Sequence, residues 1–185
     1  MIIVISGQPG AGKSSTAKSV ASTLDYDRKS SGDFQRQLAK ERGITIHELG
    51  ELEAKDPSLD LLVDNRQKEY GLCHDNFVID SWLGALFIPH ATKFFLYADE
   101  ETRAKRIFYD TSNKTRMDVE KNQSLDHTKL KMIERDRVNI ERWKRYYNGF
   151  DYRDPQHYDL VINTSRIETP QVAGIILHYL KETKV

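Results

Sequence analysis

The chain has 185 residues, of which 38% are hydrophobic and 30% charged, and its formal net charge is zero. That length suits one domain with a sizeable core, and the balanced charge gives no global help to non-specific nucleic-acid or membrane binding. The single cysteine, Cys73, excludes an intrachain disulfide, and no apolar run, Ile2–Ile5 included, is long enough for a signal-peptide core or a membrane span. The expectation is a cytoplasmic monomer of one domain, residues 1–185, with small molecules rather than nucleic acid or membrane as its partners.

Ile2-Ile3-Val4-Ile5 is a continuous β-branched run, the pattern of a strand buried on both faces of a parallel sheet. Lys13 to Leu24 then reads as a helix. A poorly patterned fifth strand fits Asp25 to Ser30, where Tyr26 and Arg28 suit an edge. "SSGDFQRQLAKERG" holds a second helix, stopped at Gly43. Thr45, with Glu48 three residues on, has the spacing of a capping box for a third. Asp56-Pro57 breaks the chain, and Leu59 to Tyr70 is helical again. Asn76 to Asp80 and Lys93 to Ala98 are short buried strands. Asp99 caps a helix running to about Tyr109, and the polar stretch that follows, about 110–125, reads as a lid. A long helix spans about Leu125 to Tyr147; "YDLVINTS" is the last strand and Pro170 to Thr183 the last helix. Strands alternating with helices predict an α/β fold, a three-layer α/β/α sandwich with a parallel sheet.

"GQPGAGKSS", Gly7 to Ser15, lies between the first strand and the first helix and matches G-x-x-x-x-G-K-[ST]. The chemistry needs each part. Glycines let the backbone N–H groups of Gly7, Gln8, Pro9-Gly10, Ala11 and Gly12 turn around a phosphate chain, proline itself having no N–H, and the helix N-terminus adds partial positive charge. Lys13 reaches the β- and γ-phosphates, Ser14 offers a hydroxyl to Mg²⁺, and Ser15 continues the cradle. Asp80 ends a buried strand, where a P-loop protein places the carboxylate that orients the metal. ATP and Mg²⁺ are the implied cofactors. No Asn-Lys-x-Asp element of a GTPase is present.

Five segments, "SGQPGAGKSSTAKSVASTL", "SSGDFQRQLAKERG", "DPSLDLLVDNRQKE", "RDRVNIERWKRYY" and "YDLVINTSR", resemble, in order, the cytidylate kinases of the shorter archaeal type. The resemblance spans nearly the whole chain and implies a P-loop nucleoside monophosphate kinase acting on CMP or dCMP, with the acceptor held by about residues 31–72. Ser31, Asp33 and Arg36 begin a helix at the sheet's carboxyl edge, where ligands bind; Asp33 either contacts ligand or caps its helix, and Arg36 falls four residues after Gly32, as in the family, and can fork a phosphate. Arg135 and Arg142 are two turns apart on one helical face, with Asn139 between them. At these two places the family's arginines neutralise the phosphoryl in transfer. Asp136 and Arg66 match family positions near the acceptor nucleotide. Ile133, Ile140 and Tyr147 form a separate, less polar stripe. Residues 101–146 carry 13 Lys/Arg against 8 Asp/Glu, as a lid closing on polyphosphate requires. Arg106 leads into it, placed to stack on the donor adenine, and Lys114 and Arg116 suit the lid tip. Residues 47–64, with six acids and one lysine, read as a solvated outer face.

The family's Gly-Arg after the middle-strand acid is replaced by Ser81-Trp82, and its Arg-Glu after Arg106-Ile107 by Tyr109-Asp110 nearby. An indole cannot form an ion pair with a phosphate; it can stack on a base or sugar, or fill core. The changed acceptor grip keeps two further classes open. In a small-metabolite kinase with a hydroxyl acceptor, a carboxylate receives the proton, and Asp33 is the candidate. A non-enzymatic module would bind nucleotide and signal through its lid.

Overall fold

The computed structural model describes residues 1–53, 56–110 and 124–183. β1 (Ile2–Gly7) is buried along its whole length, with Ile2 and Val4 turned to one layer and Ile3 and Ile5 to the other. Side chains alternate along a strand, so one that is apolar at every position is stable only inside a sheet covered on both faces. β1 pairs in parallel with β3 (Phe77–Asp80) on one side and β4 (Thr92–Tyr97) on the other. β2 (Asp27–Ser30) adds to β3, and β5 (Leu160–Asn163) adds to β4. The order is β2-β3-β1-β4-β5. β2 lies on an edge with Asp27 and Arg28 exposed, which is why its apolar pattern is weak.

One face is covered by α1 (Lys13–Leu24) and α8 (Thr169–Glu182), whose Val20, Val172 and Ile176 pack against Ile3, Ile5, Phe94 and Leu96. The other carries α2 (Ser31–Glu41), α3 (Ile46–Glu53), α4 (Pro57–Cys73), α5 (Gly84–Phe87) and α7 (Leu125–Tyr146). Their Phe34, Leu38, Leu49, Val63, Phe87 and Trp143 pack against Ile2, Val4, Phe77 and Ile79. α6 (Glu100–Phe108) lies against α7. The result is the expected three-layer sandwich. Among the described residues, no helix is long and apolar enough to cross a membrane.

Local chemistry sets the helix starts. Asp99 accepts from the Thr102 amide at 2.8 Å at the head of α6. Thr45 and Glu48 form the expected capping box ahead of α3, Thr45 N donating to Glu48 at 2.7 Å and Glu48 N to Thr45 Oγ1 at 3.1 Å. The short α5 had no sequence signal. It exists because Gly84 lets the backbone settle on Val4, whose Cγ1 lies 2.8 Å from where a Cβ would stand. The Ile133–Ile140–Tyr147 stripe divides: Ile140 is buried, but Ile133 is exposed, and α7 instead turns Met132, Asp136, Asn139 and Trp143 inward. The lid expectation, with Lys114 and Arg116, lies almost wholly outside the described residues.

At the end of β1, Gly7 has φ +148°, and a Cβ there would sit 2.1 Å from the Leu96 carbonyl oxygen. Gly7→Ala must therefore push β1 from β4 at the mouth of the site. It should cost on the order of 3 kcal/mol in urea unfolding, and unchanged stability would contradict this packing.

Candidate active site

The turn after β1 is held from three sides. The Gln8 amide donates to Leu96 O at 3.0 Å. Thr164 Oγ1, just past β5, donates to Ala11 O at 3.0 Å. Gly10, at φ +77°, rests on α6 so closely that a Cβ would lie 2.6 Å from Arg103 O. Lys13 Nζ donates to the carbonyls of Gly7 and Gln8 at 2.8 and 2.9 Å, which keeps the ammonium over the loop. Ser14 Oγ donates to Asp80 Oδ2 at 2.6 Å, and Arg28 donates to Asp80 Oδ1 at 3.1 Å. Burial pushes the Asp80 carboxyl above the usual range, against the hydrogen bond from Ser14 and the charge of Arg28. Ser14 and Asp80 together are hard oxygen donors of the kind Mg²⁺ accepts when phosphates and water complete its octahedron.

The loop lines a cleft of about 1560 Å³, shared by Pro9 to Thr16, Ser31, Arg36, Asp80, Arg106, Arg135 and Arg142. That volume exceeds the roughly 300–1,000 Å³ of a pocket for one drug-sized ligand. At one end, Arg106 is locked by donating to Thr164 Oγ1 at 3.0 Å and Thr164 O at 2.7 Å, beside Ile107, Ile167 and Pro170. Beside the loop, the Trp82 ring has Lys13 Nζ 5.5 Å and the Arg135 guanidinium 5.2 Å from its centroid. Trp82 is half-buried and packs on Trp143 at 5.2 Å, so it fills core and forms cleft wall at once.

The acceptor side overturns one expectation. Residues 47–64 are not a uniformly solvated face: Glu53 and Asp64 are buried, and both line the cleft with Asp60. Their carboxylates are matched one by one. Gln35 Nε2 donates to Glu53 at 3.2 Å, Arg142 pairs with Asp60 at 2.8 Å, and Tyr147 donates its hydroxyl to Asp64. Asp64 also accepts from Gln67 at 3.3 Å, while Gln67 accepts from the buried Ser81 hydroxyl at 2.7 Å. Ser81 thus anchors α4 to the end of β3. The sequence signal was spacing: Asp60, Asp64 and Gln67 are three and four apart, one face of a helix.

Three of the expected site residues are engaged by partners within the chain. Asp33 belongs to the α2 capping box, accepting from Ser30 N and Oγ at 2.8 Å and from Arg36. Burial acts to raise its pKa, but hydrogen bonds from Arg36 and Ser30 prevail and hold it below the usual range. Asp136 is buried behind the cleft, accepting from the Tyr152 hydroxyl. Arg66 turns outward and pairs with Glu41. Ser31, Arg36, Arg135 and Arg142 do reach the cleft. Arg28, taken only as an edge residue, reaches it as well.

A phosphate loop, a serine–carboxylate pair and five cleft arginines on this sheet define a P-loop phosphotransferase. A model of the cytidylate kinase-like family matches residues 2–166. A cytidylate kinase of Methanocella arvoryzae is 37% identical over 184 residues, covering 100% of this chain and 99% of that one. One of Methanococcoides burtonii is 36% identical over 166 residues, covering 90% and 89%. The chain belongs to the cytidylate kinase-like family and is a nucleoside monophosphate kinase. Among solved structures, shikimate kinase from Bacteroides thetaiotaomicron superposes with a TM-score of 0.67 over 98% of each chain; at 15% identity that likeness concerns the fold alone.

Burial pushes the Asp64 carboxyl up to about 6; the Tyr147 hydrogen bond works against this and the Asp60 charge adds to it. A carboxyl raised on folding stabilises fully below its unfolded pKa and loses that contribution as pH rises through the folded value. Relative to the native chain, Asp64→Asn should therefore gain about 2–3 kcal/mol in stability between pH 4 and pH 7.5. Urea midpoints at both pH values check this, and identical pH slopes would refute it.

Proposed function

We propose that the protein moves the γ-phosphoryl of ATP onto a pyrimidine nucleoside monophosphate, CMP or dCMP, as a cytoplasmic monomer. The observation that carries this reading is the convergence of the P-loop, Asp80, Arg36, Arg135 and Arg142 on one cleft lined by one chain. The curated relatives named cytidylate kinase support the choice of acceptor base.

Backbone N–H groups of the loop and Lys13 hold the donor's phosphates. Ser14 and Asp80 would hold Mg²⁺, which would supply charge neutralisation to the donor's phosphates. Arg106, fixed by Thr164, presents its guanidinium plane to the donor base. Ser31 and Arg36 hold the acceptor's phosphate, within an acceptor region formed by α2, α3 and α4. Arg135 and Arg142 meet the charge that spreads over the equatorial oxygens in the transition state, the largest lever available to such an enzyme. The acceptor oxygen is already anionic, so no strong general base is needed. Asp33, engaged in the capping box, is consistent with that.

The test is ADP release from ATP and Mg²⁺ with CMP, dCMP, UMP, AMP and GMP offered separately. Fastest turnover is expected with CMP or dCMP, and silence on all five would overturn the reading. Lys13→Ala should lose about 10³-fold or more in kcat with the fold intact, and Arg135→Ala and Arg142→Ala about 10²–10³-fold each. Asp33→Asn, by contrast, should lower stability by about 1 kcal/mol and leave chemistry largely in place. Abolished turnover in a folded Asp33→Asn protein would favour the hydroxyl-acceptor mechanism.

A further inference from the structure

Trp82 stands just beyond Asp80 at the carboxyl end of β3, where a cleft for two phosphorylated ligands calls for positive charge. Its ring is packed against Trp143 and Tyr152, with centroids at 5.2 and 6.5 Å, so position 82 contributes no cation. The neighbouring strand contributes one. β2 runs parallel to β3 with Arg28 opposite Val78 and Ser30 opposite Asp80. From there Arg28 extends toward the carboxyl edge until its guanidinium meets Asp80 Oδ1 at 3.1 Å. The side chain keeps 35% of its surface exposed and lines the same cleft as Ser14, Ser31 and Arg36. A guanidinium carries five N–H donors in a fixed fork, and the bond to Asp80 uses one nitrogen. Two residues further along the chain, Ser30 caps α2, the helix that carries Arg36. Arg28 therefore links the carboxylate facing the metal to the wall facing the acceptor.

The geometry points to Arg28 as a phosphate-binding residue of the acceptor subsite, donating to the monophosphate's oxygens while it stays paired with Asp80. This rests on the nucleotide-kinase reading above. A residue that merely propped Asp80 would act on the donor side, through ATP and Mg²⁺; a phosphate grip acts on the acceptor side, and the two separate kinetically.

The experiment compares the full chain with Arg28→Met and Arg28→Lys, varying CMP at saturating ATP, then ATP and Mg²⁺ at saturating CMP. In Arg28→Met, the KM for CMP should rise about 10- to 100-fold, the worth of a lost charge-assisted hydrogen bond, while the KM for ATP and the Mg²⁺ dependence stay within about threefold. Arg28→Lys should recover part of the loss, because an ammonium keeps the charge but not the fork. An unchanged KM for CMP in either variant, or a change confined to ATP and Mg²⁺, overturns the assignment. Thermal unfolding confirms that each variant folds; should Arg28→Met not fold, Arg28→Lys alone decides, a raised KM for CMP supporting the role and an unchanged one refuting it. Silence of the native chain on every monophosphate would overturn both this assignment and the proposed function, whereas native turnover with unaffected variants overturns this assignment alone.

Discussion

The phosphate loop depends on backbone lying directly against backbone. β1 leaves the sheet at Gly7 with the Leu96 carbonyl where a side chain would otherwise stand, and three residues later Gly10 rests on the backbone of Arg103. Each contact is possible only without a Cβ, and each fixes one end of the turn against a different element. The donor phosphates would be met by amides whose directions are set before they arrive. Preorganised dipoles of this kind cost no reorganisation during the reaction. Thr164 completes the frame by bonding Ala11 and Tyr97 from the end of β5 while receiving Arg106. Arg106 and the phosphate loop are thus held by one hydroxyl.

Around this frame the cleft gathers more charge than a protein interior tolerates unpaired. The solution is local matching. Lys13 lies over loop carbonyls, Arg28 on Asp80, Arg142 on Asp60 and Asn139, and Glu53 and Asp64 take hydrogen bonds from Gln35 and Tyr147. These pairings keep the cleft arginines solvated by the protein itself. They also tie α4 to the sheet, through the chain of bonds from Asp64 to Gln67 to Ser81, and from Ser6 Oγ to the Ser81 carbonyl at 2.7 Å. Ser81 is therefore a structural joint, and the departure Ser81-Trp82 has two distinct physical meanings: a hydroxyl that joins α4 to β3, and an indole that closes the aromatic layer beneath α7.

Much was legible in the sequence itself. β1 could be only a central strand, because four consecutive β-branched residues have no exposed face to offer. The Lys13–Leu24 helix and the Thr45–Glu48 capping box follow from spacing and local hydrogen-bonding chemistry. Local rules of this kind act within a few residues and need no knowledge of what packs where. Arg36, Arg135 and Arg142 were legible through helical register and family resemblance together.

Tertiary structure alone decided which charged residues face the cleft. Asp60 and Asp64 look like solvated helix residues in a run of acids, but α4 turns them inward, where Arg142 and Tyr147 await them from a helix some eighty residues away. Arg66, on the same helix, turns outward to Glu41. Asp136, one residue from Arg135, points away from the cleft to Tyr152. Arg28 reads as an edge arginine until the parallel register of β2 on β3 brings it to Asp80. A charged side chain carries no hydrophobic pattern to announce its direction. Its partner is chosen by long-range packing, and that choice, rather than its own residue type, separates a ligand-facing group from a structural ion pair.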